Sequence, residues 1–259
     1  MRSIDLNADT GEANTAEWRA VEDGVLSYIS SANIACGGHA GDDDSMRRTI
    51  KIAKSHNINI GAHPAYPDKA NFGRKSMTLG TDISPRELQG QLSKQITRLV
   101  EIAAEELCSV NYVKPHGALY NDAVFNRDLA MRLAETVASL DSRLWLMGAP
   151  KSETEMAAKA FGLNFIAEGF VDRRYTEDGH LLSRSQPGAV IEDQDLRCAQ
   201  AISLLRDGQV ETNEGGSITI DVDTLCLHSD SPGADRTAKI IRTAIEQKGA
   251  EIRAFIHAG

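Results

Sequence analysis

The stretch Asn33-Ile34-Ala35-Cys36-Gly37-Gly38-His39-Ala40-Gly41-Asp42 passes from a buried strand, through a glycine turn, to the start of a helix. Glycine permits the sharp turn and close backbone approach that other residues resist. The acidic run that begins at Asp42 suits the positive end of the following helix. His39 is left at the mouth of the turn, where packing does not require a histidine. We interpret this turn as one wall of a pocket, in which Gly37 and Gly38 let a substrate approach the backbone.

The order strand, turn, helix recurs along the chain. Strands are predicted over 4–9, 31–36, 58–62, 110–114, 144–147, 164–167, 217–220, 224–228 and 251–256. Helices are predicted over 13–28, 46–56, 84–103, 124–139, 152–161, 189–205 and 234–247, and long loops over 64–83 and 168–187. Alternation of this kind favours a parallel sheet with right-handed crossovers. We predict an α/β fold, a distorted and mainly parallel β/α barrel of about seven strands, formed by residues 1–259 as a single domain. An open doubly wound sheet is the alternative.

Composition narrows the classes of partner. The chain has 259 residues, of which 41% are hydrophobic, and a formal net charge of -9. This charge argues against nucleic acid or an anionic membrane as a partner. The four cysteines are widely spaced and indicate reduced thiols. The sequence becomes charged directly after Met1 and shows no apolar signal region, so we expect a cytoplasmic protein without membrane association.

Polar side chains collect at the predicted strand ends, which is where β/α barrels place their active sites. They are Asp5, Asn7, Asp9 and Glu12 at the first strand, Asn33 and His39 at the second, His63 at the third, and Lys114 and His116 at the fourth. The sixth strand adds Glu168, with Asp172 and Arg173 just beyond, and the late strand at 224–228 adds Asp223, His228 and Asp230. We expect most of them to share one pocket.

Several of these residues have a simpler interpretation. Glu12 could cap the first helix, and the charge run that contains Asp172 and Arg173 could be solvated. His56 suits a helix end, while His180 and His257 are expected at the surface.

Common nucleotide and hydrolase motifs are absent from the sequence. It contains no GxxxxGK[ST], GxGxxG, HExxH or GxSxG pattern. A divalent metal is conceivable from the Asp and His set, but no motif supports one and we assign no metal ligand.

Several motifs together resemble the LamB/YcsF family, the 5-oxoprolinase A subunits. They are the segments 5–12 (DLNADTGE), 33–42, 61–68 (GAHPAYPD), 72–74 (FGR), 112–121 (YVKPHGALYN) and 172–179. The resemblance covers nearly the whole chain and implies a barrel similar to those of carbohydrate deacetylases. It also implies a hydrolase that opens the lactam of 5-oxoproline to L-glutamate, together with partner subunits B and C and with ATP consumed by the complex.

This chemistry suggests roles for the strand-end residues. His39, His63 and His116 would share the proton transfers, because histidine titrates near neutral pH. Lys114 and Arg173 would hold the substrate carboxylate or the phosphorylated oxygen. The predicted catalytic residues are Asp5, Asn7, Asp9, His39, His63, Lys114 and His116, and the predicted substrate-binding residues are Asn33, Gly37, Gly38, Glu168, Arg173, His228 and Asp230.

Two other functions stay open at this point. One is a metal-dependent amidase or deacetylase that acts alone, and the other is a non-catalytic subunit that binds a small acid. The sequence also leaves open whether ATP binds partly on this chain and whether the chain forms a homo-oligomer.

Overall fold

Strands and helices alternate along the chain in the computed structural model, which describes residues 2–230 and 233–255. Within these ranges the strands are β1 (Arg2–Thr10), β2 (Ser31–Ala35), β3 (Asn59–His63), β4 (Val110–Val113), β5 (Trp145–Gly148), β6 (Phe165–Phe170), β7 (Gln209–Glu211), β8 (Ser217–Thr219), β9 (Thr224–Leu227) and β10 (Ala250–Ile252). The α-helices of the same ranges are α1 (Ala16–Leu26), α2 (Asp43–Ser55), α3 (Pro85–Glu105), α4 (Gly117–Phe125), α5 (Arg127–Leu140), α6 (Glu153–Ala160), α7 (Gln194–Asp207) and α8 (Ala234–Gln247). A short 3-10 helix covers Lys69–Asn71.

Seven parallel strands form a closed barrel in the order β1-β2-β3-β4-β5-β6-β9. The ring closes because β9 pairs with β6 on one side and with β1 on the other. The predicted parallel barrel is therefore confirmed, and the open-sheet alternative is wrong. β10 lies outside the ring and pairs with the first residues of β1, while β7 and β8 form a separate antiparallel pair.

The alternation of side chains along β1 explains where polar groups lie. Leu6 and Ala8 belong to the hydrophobic core between the barrel and its helices. Asp5, Asn7 and Asp9 point to the other side of the strand, which is the barrel interior. The interior of this barrel is therefore polar along β1.

Two helix starts follow from capping residues, as the sequence indicated. Asp42 caps α2, accepting a hydrogen bond from the Ser45 amide at 2.8 Å, while its own amide donates to Ser45 Oγ at 2.9 Å. Ser84 caps α3, whose first residue is Pro85. Both caps fix the direction in which the chain leaves the barrel's rim.

Some predicted boundaries are wrong. The helix predicted over 124–139 is α5, which begins only at Arg127 because the side chain of Asn126 caps it at Leu129, and residues 117–125 form a separate helix, α4, that was not predicted. The sixth strand continues to Phe170, so Glu168 lies in β6 and not in a loop. The helix predicted over 189–205 starts only at Gln194, after the cap Asp193. β10 ends at Ile252, and Ile256, which was predicted as strand, is outside the described residues.

Within residues 2–230 and 233–255, we find no helix whose length and apolar character would let it cross a membrane.

Candidate active site

A cavity of about 970 Å³ opens at the carboxyl ends of the barrel strands. Both long loops contribute to its wall, the first through residues such as Tyr66 and Arg74 and the second through the segment 180–185. The predicted site residues that line it are Asp9, His63, Lys114, His116, Arg173, His228 and Asp230. The strand ends therefore do bring most of the predicted charged groups to one place.

Other predicted site residues form a buried layer below the cavity. Asp5, Asn7, Asn33 and Glu168 are each at most 1% exposed, and none of them is among the described residues of the cavity wall. Asn33 donates to Asn7 Oδ1 at 2.7 Å and to Asp9 Oδ1 at 2.9 Å, and it accepts from the Tyr112 hydroxyl at 2.7 Å. This layer fixes the position of Asp9, which is the member of β1 that reaches the cavity.

Asp5 is the deepest of these groups. Its Oδ1 accepts from Ser30 and Ser31, each at 2.7 Å, and its Oδ2 accepts from the hydroxyl of Thr224. Burial outweighs these hydrogen bonds and raises the pKa of Asp5 to about 6. The contacts of Asp5 therefore join β1 to β2 and to the start of β9, and its catalytic role stays a prediction.

Lys114 lies between two buried carboxylates. Its Nζ is 2.9 Å from Asp9 Oδ1 and 2.8 Å from Glu168 Oε1. Burial opposes its charge, but Asp9 and Glu168 raise the pKa of Lys114 well above its usual value. Burial likewise opposes the charge of Asp9, but His63 and Lys114 hold the pKa of that carboxyl well below its usual range. Lys114 is therefore a fixed cation, and its charge is already shared with protein carboxylates.

His63 and His116 face each other through one nitrogen each. His63 Nδ1 donates to the carbonyl of Lys114 at 2.8 Å, and His116 Nε2 donates to the carbonyl of Phe72 at 3.0 Å. The remaining nitrogens, His63 Nε2 and His116 Nδ1, are 2.9 Å apart, and the ring planes are at 88°. These carbonyls fix which nitrogen of each ring carries a hydrogen.

His39 does not reach the cavity wall formed by the described residues. It stacks on His116, with ring centroids 3.5 Å apart and planes at 2°, and its Nε2 is 2.7 Å from Glu12 Oε1. Burial and the charge of His63 lower the pKa of His39 well below its usual value. Burial and the neighbouring His39 likewise lower the pKa of His116. His39 therefore contacts Glu12 and His116, which line the cavity, without lining the cavity itself.

Glu12 belongs to this cluster and does not cap a helix, because the cap of α1 is Thr15. It is 6% exposed, and burial together with the charge of Asp9 raises its pKa to about 8. The sequence feature that could have indicated this position of Glu12 is the preceding Gly11, whose φ of 73° allows the chain to turn at the end of β1.

Asp172 and Arg173 are buried, at 5% and 4% exposure, so their interpretation as a solvated charge run is wrong. Asp172 Oδ2 accepts from His228 Nδ1 at 2.7 Å. Burial would raise the pKa of Asp172, but His228 outweighs it and the pKa is about 2. With Nδ1 engaged, His228 has its Nε2 for a ligand in the cavity.

Arg173 is held by backbone carbonyls. Its Nε donates to Ala189 and its Nη2 donates to Leu182 at 2.6 Å, which fixes the guanidinium at the cavity wall. Burial and the nearby Arg184 lower the pKa of Arg173 to about 10. Asp230 lies at the exposed rim, where it accepts from Arg74 at 2.6 Å.

Gly37 and Gly38 are outside the described part of the cavity wall. A Cβ on Gly38 would lie 2.2 Å from Gln95 Oε1, and Gln95 in turn bonds both the amide and the carbonyl of Ala65. Gly37 has a φ of 98°, which requires glycine for the turn itself. The structure thus gives this pair a packing and turn role, and their contact with a substrate stays a prediction.

The remaining histidines divide as follows. His56 is exposed at the end of α2, as predicted. His180 was expected at the surface, but it is half-buried against Phe125, with ring centroids 4.5 Å apart, and it lines the cavity. His257 is outside the described residues.

The fold and site together define a closed parallel β/α-barrel protein with a cavity at the carboxyl ends of its strands that histidines and carboxylates line in part. In a comparison with known protein families, the model of the LamB/YcsF family matches residues 4–258. The chain belongs to the LamB/YcsF family.

Similar proteins agree with this assignment. The chain is 43% identical over 253 residues to the 5-oxoprolinase A subunit of Bordetella parapertussis, covering 97% of this chain and 98% of that protein. It is 40% identical over 249 residues to the 5-oxoprolinase A subunit of Pyrococcus furiosus, covering 96% of each. The crystal structure of the lactam utilization protein from Thermus thermophilus superposes with a TM-score of 0.89 at 36% identity, covering 98% of this chain and 100% of that one.

Proposed function

We propose that this chain is the A subunit of a 5-oxoprolinase, acting in 5-oxoproline metabolism as part of a hydrolase that opens the lactam to L-glutamate. The observation that carries the proposal is the similarity to relatives of that name, which are about 40% identical over nearly the whole chain. The charged groups of the cavity also suit a small acid. Coupling to ATP and cooperation with B and C subunits are part of this proposal.

Arg173 is the group that we assign to the substrate carboxylate. Its Nε and one hydrogen of Nη2 are committed to backbone carbonyls, so the Nη1 hydrogens and the second Nη2 hydrogen remain for an anion. A guanidinium held in one plane loses little freedom on binding and recognises carboxylates well. Lys114 is less suited to this task, because Asp9 and Glu168 already share its charge.

The hydrolysis needs a group that moves protons at the lactam. His228 suits this role, because Asp172 orients its ring and the opposite nitrogen is available on a residue of the cavity wall. This arrangement of a carboxylate that fixes an imidazole is the usual support for a general acid or base. The cluster of His63, His116 and Glu12, which lines the same cavity, would hold the attacking water.

ATP would enter through the partner subunits. The chain has no phosphate-binding loop of the GxxxxGK[ST] type. Phosphorylation of the lactam oxygen by a partner would convert that oxygen into a leaving group, and the cavity of this chain would receive the activated ring.

Reconstitution with the partner subunits tests the proposal. Glutamate release and ATP hydrolysis are measured with 5-oxoproline when this chain is omitted, added, or replaced by His228→Gln. We expect turnover only when the chain is present, and a loss of about 10²–10⁴-fold for His228→Gln, the range for an acid–base group. The matched control is His56→Gln, which changes an exposed histidine at the end of α2 and should leave turnover unchanged.

Three results would contradict the proposal. Turnover that is independent of this chain would remove it from the reaction. Hydrolysis of amides by the chain alone, without ATP or partners, would favour the lone amidase, for which the Glu12 and histidine cluster is the supporting observation. Tight binding of 5-oxoproline with full activity of the site variants would favour a non-catalytic binding role.

A further inference from the structure

The contact between His63 and His116 carries an electrostatic problem. Each ring donates one N–H to a backbone carbonyl, so in their neutral forms His63 Nε2 and His116 Nδ1 both carry lone pairs. Those two nitrogens are 2.9 Å apart. Asp9 Oδ2 is a further acceptor, 3.3 Å from His63 Nε2. Acceptors packed at this distance repel each other unless something positive lies among them.

Glu12 completes the set. Its Oε1 is 3.5 Å from His116 Nδ1, and one ligand atom from each of Glu12, His39, His63 and His116 lies within 4.8 Å of the others. For comparison, two ligands at about 2.1 Å from a tetrahedral zinc ion are roughly 3.4 Å apart. The observed separations of 2.9 and 3.5 Å lie on either side of that distance.

The ring orientations separate true ligands from neighbours. A histidine binds a metal in the plane of its ring, and the planes of His63 and His116 cross at 88°, so one ion can lie in both. His39 is parallel to His116 at a centroid distance of 3.5 Å, so one ion cannot lie in both of these planes. His39 Nε2 instead lies 2.7 Å from Glu12 Oε1, at hydrogen-bond distance, as outer partners of ligating carboxylates do.

We propose that His63 Nε2, His116 Nδ1 and the Glu12 carboxylate bind one divalent first-row transition-metal ion, with His39 as the outer residue that orients Glu12. Two imidazoles and one carboxylate form a set that suits zinc, iron, cobalt or manganese. Three protein ligands leave a position for water, and His63, His116 and Glu12 all lie on the cavity wall. The inference goes beyond the proposed function and does not depend on it.

The competing explanation is a single proton shared by His63 and His116. It would make this pair an imidazole–imidazolium hydrogen bond, and Glu12 would need no metal. The two explanations predict different results when the purified full chain is exposed to a metal.

Zn²⁺ binding tests the proposal directly. The full chain is stripped with a chelator, titrated with Zn²⁺ by calorimetry, and assayed for retained zinc after desalting. We expect about one ion per chain, and a visible absorption spectrum of a low-symmetry site when Co²⁺ replaces Zn²⁺. No stoichiometric binding by the unmodified chain would overturn the proposal in favour of the shared proton.

Variants locate the site. His63→Gln, His116→Gln and Glu12→Gln should each weaken Zn²⁺ binding by more than about 100-fold, while His39→Gln should weaken it by about 10–100-fold, the range for outer partners. His56→Gln is the matched control and should bind as the unmodified chain does. Circular dichroism would check that each variant is folded. Unchanged Zn²⁺ affinity in the folded His63→Gln and His116→Gln variants would refute the assignment. Because no substrate, ATP or partner is present, this result is independent of the reconstitution described above.

Discussion

Buried Asp172 and half-buried His228 form a pair, Oδ2 to Nδ1 at 2.7 Å, although 56 residues separate them in the chain. The pair joins the loop after β6 to the end of β9. We expect Asp172→Asn to lower kcat for 5-oxoproline opening by roughly tenfold or more, because the amide can present its NH₂ group and turn the imidazole to the wrong tautomer.

The measurement is steady-state turnover by the reconstituted complex as a function of pH. A change in the pH profile of kcat, with KM nearly unchanged, distinguishes positioning of His228 from general damage to the fold. Identical profiles for Asp172→Asn and the unmodified chain would remove the pair from the mechanism.

Substitutions at Gly38 and Gln95 should have coupled effects on the free energy of unfolding. A Cβ at Gly38 would lie 2.2 Å from Gln95 Oε1, so Gly38→Ala must displace a side chain that bonds the backbone of Ala65 at both its amide and its carbonyl. We expect Gly38→Ala to lower the free energy of unfolding by about 1–3 kcal/mol, the usual cost of overpacking. Urea denaturation measures this cost.

In a Gln95→Ala background the same Gly38→Ala change should cost much less, because the clash is gone. KM for 5-oxoproline should be the same with and without the Gly38 substitution in that background. Additive stability losses would contradict the clash with Gln95, and a raised KM would support the substrate-approach role that the sequence suggested.

Lys114 compensates two carboxylates. Lys114→Met would leave Asp9 and Glu168 buried without their cation, and we expect a loss of about 3–5 kcal/mol in the free energy of unfolding. Lys94→Met, at an exposed position of α3, should change it by less than about 0.5 kcal/mol.

Neutralising Glu168 should restore part of that stability. The double variant Lys114→Met, Glu168→Gln should unfold at higher urea concentration than Lys114→Met alone, since one uncompensated charge is removed. If it does not, the ion pair between Lys114 and Glu168 contributes little to the folded state.

Asp5 should make stability depend on pH. Its pKa is about 6 in the folded protein, against an ordinary value of 3.8. Below pH 3.8 both states hold the proton, and between 3.8 and 6 only the folded state does, so stability decreases as the pH rises through this window. At neutral pH the folded protein carries a penalty of roughly 3 kcal/mol, at about 1.4 kcal/mol per pKa unit.

Asp5→Asn cannot ionise and should lack this penalty. The difference in free energy of unfolding between Asp5→Asn and the unmodified chain should therefore shift in favour of the variant as the pH rises from about 4 to 7. Urea titrations across that range measure it, and parallel curves for the two proteins would contradict the raised pKa of Asp5.

The sequence predicts which strand ends carry polar residues, but it does not predict their depth. Asp5, Asn7 and Asp9 share one face of β1 and follow each other at about 6.6 Å per pair of residues. Of these three residues only Asp9 lines the cavity, because the neighbouring strands β2 and β9 enclose Asp5 and Asn7. Local alternation therefore indicates the face, whereas depth depends on strand register across the barrel.

The second loop shows the same dependence on distant contacts. The run that contains Asp172 and Arg173 has the composition of a solvated segment, yet Arg173 donates to two carbonyls of its own loop and Asp172 bonds His228. His39 is a parallel case, since only the folded chain stacks it behind His116. Local patterns do not report such pairings.

The pairing of β9 with β1 also has a consequence for synthesis. Thr224 contacts Asn7 and Asp5 across 217 and 219 residues, and Ser229 bonds the carbonyl of Asp9 across 220. On the ribosome, the amino-terminal strand emerges long before the strand that closes the ring beside it, and contacts of such long range form slowly. Until β9 emerges, the acidic row of β1 stays hydrated at an open edge. A nascent chain that stops before Thr224 therefore has most of the histidines and carboxylates of the site but no enclosed barrel to hold them, and we expect it to be a substrate for chaperones and proteases.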